Sequence, residues 1–452
     1  MKAHRFLRVA AFLFCLSILL SGCNVIGFDV EKQLIPPQND KEQNAMQTAL
    51  YKYLESHNFT LTYPNGGHYQ TPFIVLNQLK ENTVLTPELQ SESTTSDSLS
   101  LGNWGIVFYR WDTDNAKTRI HLLKKGDNGT WETLADIAGF SEEVAEVNFS
   151  DLNGDGFPEL LVGWNLYNSN DKRLAIYRID RQLSEVAFNN AYTALLTGNM
   201  TDDTAQDLLL FTIGSGEAQV KAQLFSCMDN QLVFRGETLL DSGIKEFGSS
   251  HIAALSPTVN GAFVDCRKDA DTTITELIYW DNSSLESPFS DRTTNLNTMT
   301  AREIDIACQD VDGDGVVEWP VSERLSGQEQ APHGEGLWET DWFSYDFRSG
   351  KAIREFSSIV NLMDSYMLRL RDEWVEDDIT IAYDAQKHIM SFQSNDKDES
   401  CFLEVLATHS DTKIVLPEGF TYFNGVDTWR YATRINADII TPEEVQYLFI
   451  QL

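Results

Sequence analysis

Two short acidic loops constrain this chain more than any other feature of its sequence. Asp151-Leu-Asn-Gly-Asp-Gly-Phe-Pro-Glu159 runs into the apolar stretch Leu160-Leu-Val-Gly-Trp164. Asp310-Val-Asp-Gly-Asp-Gly-Val-Val-Glu318 runs into Trp319. Each places oxygen-bearing side chains at its first, third, fifth and ninth positions: Asp151, Asn153, Asp155 and Glu159, then Asp310, Asp312, Asp314 and Glu318. Calcium takes six to eight oxygen ligands at flexible distances, and alternate positions of a tight loop can turn inward together. Gly156 and Gly315, at the sixth position, suit a left-handed turn that a Cβ would hinder. The backbone carbonyls of Phe157 and Val316, at the seventh, can add one more oxygen each. An EF-hand begins the same way but needs a bidentate Glu at its twelfth position, where this chain has Val162 and Val321. The flanks Val147-Asn-Phe149 and Leu160-Leu-Val162 also read as strand rather than helix.

An acidic loop of this pattern that opens an apolar strand resembles the FG-GAP/VCBS repeat, the unit of integrin α-subunit-like β-propellers. The resemblance covers two loops of about ten residues. It implies a β-propeller-like fold in which each loop joins two strands of a blade and holds a structural Ca²⁺.

Weaker copies surround the two loops. An acidic residue opens an apolar run at Glu159, Asp207, Glu276 and Glu318. Asn199, Thr201, Asp203 and Asp207 keep the frame with fewer carboxylates and with Thr204 in place of the glycine, which predicts a decayed repeat with weak or no metal binding. The unit from Gly261 to Glu276 departs further and is expected to bind no ion. An earlier unit starts at Phe73-Ile-Val-Leu-Asn77 and resumes at Gly105-Ile-Val-Phe-Tyr109, split by a Ser/Thr-rich insert over Glu88–Gly102 that is expected to be mobile. Runs such as Arg119-Ile-His-Leu-Leu, Leu174-Ala-Ile-Tyr-Arg and Trp342-Phe-Ser-Tyr-Asp-Phe are expected as outer strands. About five units are legible.

The N-terminus carries Lys2, Arg5 and Arg8, then an apolar run from Val9 to Leu20 that is too short to span a bilayer, and then Leu20-Ser-Gly-Cys23. This order resembles the lipobox of bacterial lipoproteins and implies that residues 1–22 are a signal peptide and Cys23 the lipidated first residue. Residues 23–40 then form a tether. The expected location is extracytoplasmic, with the chain held to the membrane through its lipid. The formal charge of −34 argues against nucleic acid as a partner and against binding to an anionic membrane surface.

Residues 41–355 read as a helix followed by the β-repeat domain. The helix, about Lys41 to Ser56, has Asp40 as N-cap and places Met46, Leu50, Tyr53 and Leu54 on one face. Residues 356–452 read as a small α+β domain, with a helix or connector around Ile359–Met367, three strands, and a C-terminal helix from Thr441-Pro-Glu-Glu444 through Leu452. The alternative is that these strands complete the propeller. Cys227, Cys266, Cys308 and Cys401 allow three disulfide pairings or remain thiols.

The sequence contains no H-E-x-x-H, Walker A or G-x-S-x-G motif, and Gly214-Ser-Gly216 is too short for a nucleophile elbow. The aromatic group Trp319, Trp338, Trp342 and Tyr345 suits packing between strands better than stacking on a sugar. The expected function is a non-catalytic binding or scaffold module for a protein or glycan, with no catalytic residue assigned. The alternative is a carbohydrate-active enzyme, a hydrolase or lyase, on the same scaffold, since paired carboxylates meet in space rather than in sequence.

Overall fold

A computed structural model describes residues 40–452, except 56, 77–102, 114–115, 167–170, 181, 202–204, 215–218, 305, 329–335, 377–378, 396–400, 412–414 and 427. Cys23, the leader, most of the tether and the Ser/Thr-rich insert lie outside the described residues, as do Ser215 and Gly216.

The chain is mainly β, folded as six antiparallel sheets of four or five strands in chain order. The second sheet shows the plan: Val144–Ser150, Glu159–Asn165, Lys172–Arg178 and Ser184–Tyr192 follow one another as a meander. The third repeats it with Ala194–Gly198, Asp207–Thr212, Lys221–Met228 and Gln231–Leu239. The fourth uses Glu246–Ser256, Val259–Arg267, Thr273–Trp280 and Leu285–Glu286. In the first sheet, Phe59–Leu61 and Phe73–Val75 share one edge of Trp104–Trp111, followed by Arg119–Lys125 and Trp131–Ala138. A series of four-stranded meanders is the organisation of a β-propeller, and the fold is propeller-like in that sense.

Buried clusters bind each sheet to the next. Ile106 and Leu122 meet Val147 and Leu160 between the first and second sheets. Leu161 and Ile176 meet Leu208 and Leu210 between the second and third. Comparable clusters join the third to the fourth, the fourth to the fifth, and the fifth to the sixth. Strands packed on both faces need apolar residues at successive positions, which is why Leu160–Val162 and Leu208–Phe211 are unbroken apolar runs. The expectation that Trp319, Trp338 and Trp342 pack between strands holds, since all three are buried.

Among the described residues, no such cluster joins the sixth sheet to the first. The helix Lys41–Leu54 covers the free face of the first sheet, with Met46, Leu50 and Leu54 packed on Phe73, Val107, Leu123 and Trp131. It starts at Asp40 through a capping box with Gln43. Tyr53, expected on the buried face, is 45% exposed and turns its hydroxyl to Asp136. The far face of the sixth sheet carries the Glu404–Arg434 ion pair beside a small cluster of Leu406, Phe420 and Ala432. A covered face at one end and a more polar face at the other are the marks of end caps in a repeat array.

The structure corrects several expectations for the second half of the chain. The boundary placed before Phe356 falls inside the strand Lys351–Asn361 of the fifth sheet. That sheet runs Trp319–Arg324, Leu337–Asp346, Lys351–Asn361, Tyr366–Arg369, and is completed by the C-terminal strand Phe449–Gln451. No separate α+β domain is seen among the described residues. The stretch Ile359–Met367 is strand, turn and strand rather than helix. Its residues are buried on both faces, Ile359 toward the sixth sheet and Val360 and Met367 away from it, and this mimics helical spacing. The C-terminal helix spans Pro442–Leu448 with the expected Thr441–Glu444 capping box, but the chain then turns into strand. Ile379–Asp384, Ile389–Ser394, Cys401–His409, Thr421–Val426 and Trp429–Ile435 form the sixth sheet. The expected outer strands are inner ones: Arg119–Lys125 and Lys172–Arg178 lie one in from the edge of the first and second sheets, and Leu337–Asp346 lies second in the fifth. No helix among the described residues is long and apolar enough to cross a membrane.

Candidate functional site

The acidic loops occupy equivalent hairpins. Ser150 pairs with Glu159, Gly198 with Asp207, and Gln309 with Glu318, so each loop leaves and re-enters its sheet at the same spacing. In each, the carboxylate that opens the second strand accepts the backbone N–H seven residues earlier. Leu152 N donates to Glu159 at 2.9 Å, Met200 N to Asp207 at 2.8 Å, and Val311 N to Glu318 at 2.9 Å. A carboxylate at this position therefore closes the hairpin, whatever else the loop holds.

The two full loops share further geometry. Asp151 accepts the N–H groups of Asp155 and Gly156, and Asp310 accepts those of Gly313, Asp314 and Gly315. Asp155 accepts from Phe157 N at 2.8 Å, and Asp314 from Val316 N at 2.7 Å. Gly156 and Gly315 stand at φ of 81° and 89°, the left-handed region expected of them. Phe157 packs edge-on to Trp104, whereas the Val316 side chain is exposed.

The third position separates them. In the second loop, one ligand atom from each of Asp310, Asp312 and Asp314 lies within 4.8 Å of the others, and Arg369 approaches Asp312 at 3.7 Å. In the first, the Asn153 amide donates to Asp155 Oδ2 at 3.0 Å and to Glu159 Oε1 at 2.9 Å, drawing the two carboxylates together. Burial, and then the charges of Asp312, Asp314 and Asp310, push the Glu318 carboxyl up to about 7. Burial, with help from Asp155 and Asp151, pushes Glu159 up to about 7 as well, and burial raises Asp151. Clustered, partly desolvated carboxylates hold their charge poorly alone, and a cation among them relieves both burial and repulsion. The donor sets Asp310, Asp312, Asp314, Glu318 and Asp151, Asn153, Asp155, Glu159 are all oxygen and fit Ca²⁺ in kind.

Elsewhere protein groups supply the missing positive charge or the missing donors. Asp207 is bonded by Thr201 and Ser226 besides Met200, while Asp203 and Thr204 of that loop lie outside the described residues. In the fourth sheet, Asp265 pairs with the buried Arg302 at 2.6 Å and accepts from Thr275 and Cys308. Glu276 accepts from Asp241 N, Ser287 and Ser290. It lies in the third strand of its sheet, so the unit read from Gly261 to Glu276 is a different hairpin from the acidic loops. All four described cysteines are free thiols.

A second feature left no mark in the sequence. A cavity of about 840 Å³ opens where the first strands of the second, third and fourth sheets converge, with His68 and Tyr69 of the first repeat at its side. Asn148, Thr197, Gln206, His251 and Asn260 bring polar groups to it, and no carboxylate, lysine or arginine is among its described lining residues. Asn260 Nδ2 is fixed by Asn199 O at 2.8 Å. Gln206 donates its backbone N–H to Asp151 O at 2.9 Å, which ties the cavity wall to the first acidic loop. The lining comes from three sheets and a loop of the first repeat, and has no spacing that a linear pattern could show.

No family model and no curated protein matches the sequence. Among solved structures the chain is distantly similar to β-propeller proteins. The Dos1 propeller shares 8% identity over 64% of this chain and 72% of its own, with a TM-score of 0.31. Sqt1 from Chaetomium thermophilum shares 9% over 67% and 68%, with a TM-score of 0.31. A rhamnogalacturonan lyase from Bacillus licheniformis shares 11% over 64% and 65%, with a TM-score of 0.29.

Proposed function

We propose that the chain is an extracytoplasmic, lipid-anchored, non-catalytic binding module whose propeller-like body is stiffened by structural Ca²⁺ and presents its loops to a protein or glycan. The leading support is the second loop, where three carboxylates converge within 4.8 Å around a hairpin already closed by Glu318. Calcium held by Asp310, Asp312, Asp314 and Glu318, with the Val316 carbonyl, would neutralise that cluster. The first loop would hold it through Asp151, Asn153, Asp155, Glu159 and the Phe157 carbonyl once the Asn153 side chain turns its oxygen inward. The leader ending at Cys23 supports the anchor, and the acidity of the chain leaves the lipid as the means of attachment.

The test is a thermal melt of the full-length chain in detergent, in EDTA, Ca²⁺ or Mg²⁺. Calcium at a hundred times its dissociation constant adds about 2.7 kcal/mol per site if only the folded state binds. A rise with Ca²⁺ that Mg²⁺ does not match supports the reading, and an unmoved melt removes the metal from it. A hydrolase needs two carboxyls facing each other across a cleft, and the described cavity lining offers none, whereas a lyase is tested by its product. Release of shortened or unsaturated sugar from a polysaccharide panel would overturn the non-catalytic part.

A further inference from the structure

We infer that the central cavity is a binding site for a neutral oligosaccharide. The inference rests on the binding-module reading and names the ligand class of one site on it. The volume, about 840 Å³, falls within the range of small-ligand sites. Asn148, Gln206, Asn260, Thr197 and His251 present amide, hydroxyl and imidazole groups that can both donate and accept. A sugar hydroxyl has that same double character, so such a lining can pair with a run of them. Tyr69, edge-on to Phe149 at 5.3 Å, adds an aromatic wall.

Charge selects within the class. The chain carries −34, yet the described lining holds no carboxylate, lysine or arginine, only the imidazoles of His68 and His251. A uronate-rich glycan would meet the repulsion of the whole molecule with no lysine or arginine in the lining to offset it. A neutral sugar meets no such barrier. An extended peptide, the other occupant that edge strands invite, would need about 4.8 Å of free space beside a first strand. That space is closed where Ala194–Gly198 meets Glu246–Ser256, since a Cβ on Gly198 would lie 2.2 Å from Ile252 Cδ1. The side chains around the junction, rather than the strand edges, therefore make the site.

The test is calorimetric titration of the full-length protein in detergent and Ca²⁺ with tetrasaccharides of neutral hexoses, and with uronate tetrasaccharides of equal length. Saturable binding of a neutral tetrasaccharide, no binding of the uronates, and a loss of tenfold or more in both Asn148→Ala and His251→Ala are expected. His251 is exposed, so its replacement leaves the fold intact even if Asn148→Ala does not fold. Equal or tighter binding of uronates overturns the inference, as does neutral binding untouched by His251→Ala, or no neutral binding at millimolar concentration. A calcium-dependent melt that persists without sugar binding removes this inference alone.

Discussion

At the scale of single residues, the acidic loops share one role that the structure shows, closure of the hairpin, beside the proposed cation. The ninth-position carboxylate is a hairpin clasp in all three equivalent loops, because it accepts the N–H at the second position even where the other carboxylates are lost. Asp314→Asn separates clasp from cation. The amide keeps the oxygen that Val316 N needs but loses the charge. The expected outcome is an unchanged or slightly higher melt in EDTA and the loss of about one site's share, about 2.7 kcal/mol, of the calcium shift. Glu276 supplies a control without metal. Burial pushes its carboxyl from 4.5 up to about 7. Between those values the folded chain keeps a proton that the unfolded chain releases, so this contribution is fully present below about 4.5 and lost as pH rises through about 7. The wild-type melt should therefore fall over this window more steeply than that of Glu276→Gln, in EDTA and in calcium alike. Equal slopes would show that Glu276 is not the group that holds the proton over this window.

At the scale of elements, the ends of the described chain close what the repeats leave open. The N-terminal helix buries Met46, Leu50 and Leu54 against the first sheet, and the last strand, Phe449–Gln451, pairs with Tyr366–Arg369. Phe449 stacks on Tyr366 at 5.3 Å and meets Tyr431 at 4.8 Å, so the final residues link the fifth and sixth sheets. Phe449→Ala should cost roughly 3 to 5 kcal/mol, as buried aromatic truncations do, read as a lower denaturation midpoint. Leu50→Ala should cost roughly 2 to 5 kcal/mol, with faster amide exchange concentrated in the helix and the first sheet. Exchange that rises evenly across all six sheets would mean that the helix is no local cap.

At the scale of the whole molecule, charge and repetition act together. A chain at −34 repels itself, and the repulsion is greatest where loops gather carboxylates. Monovalent salt should raise the melt in EDTA by screening that repulsion, and the rise should shrink once calcium occupies the loops. A melt indifferent to salt would show that the acidic residues are too dispersed to matter. Adjacent sheets share buried clusters, while the helix covers the first sheet's free face and the sixth sheet's far face is more polar, so stability passes from neighbour to neighbour as in other repeat arrays.

The sequence by itself determined the local features. Loop frame, left-handed glycines, helix caps and strand-forming runs depend on residues close in the chain: the hairpins of Asp151–Glu159 and Asp310–Glu318 close through their last carboxylate, and Asp40–Gln43 and Thr441–Glu444 form capping boxes. Only the tertiary structure decided what depends on partners far apart. It assigned Ile359–Met367 to strands, because packing on both faces hides the alternation that marks a strand. It joined residues 356–452 to the repeat array, because the pairing of Phe449–Gln451 with Tyr366–Arg369 spans the whole sixth sheet. It placed Arg302 against Asp265 and built a cavity from three sheets and a loop of the first repeat. Contacts of that range follow from the order in which sheets stack, and no short window of sequence carries that order.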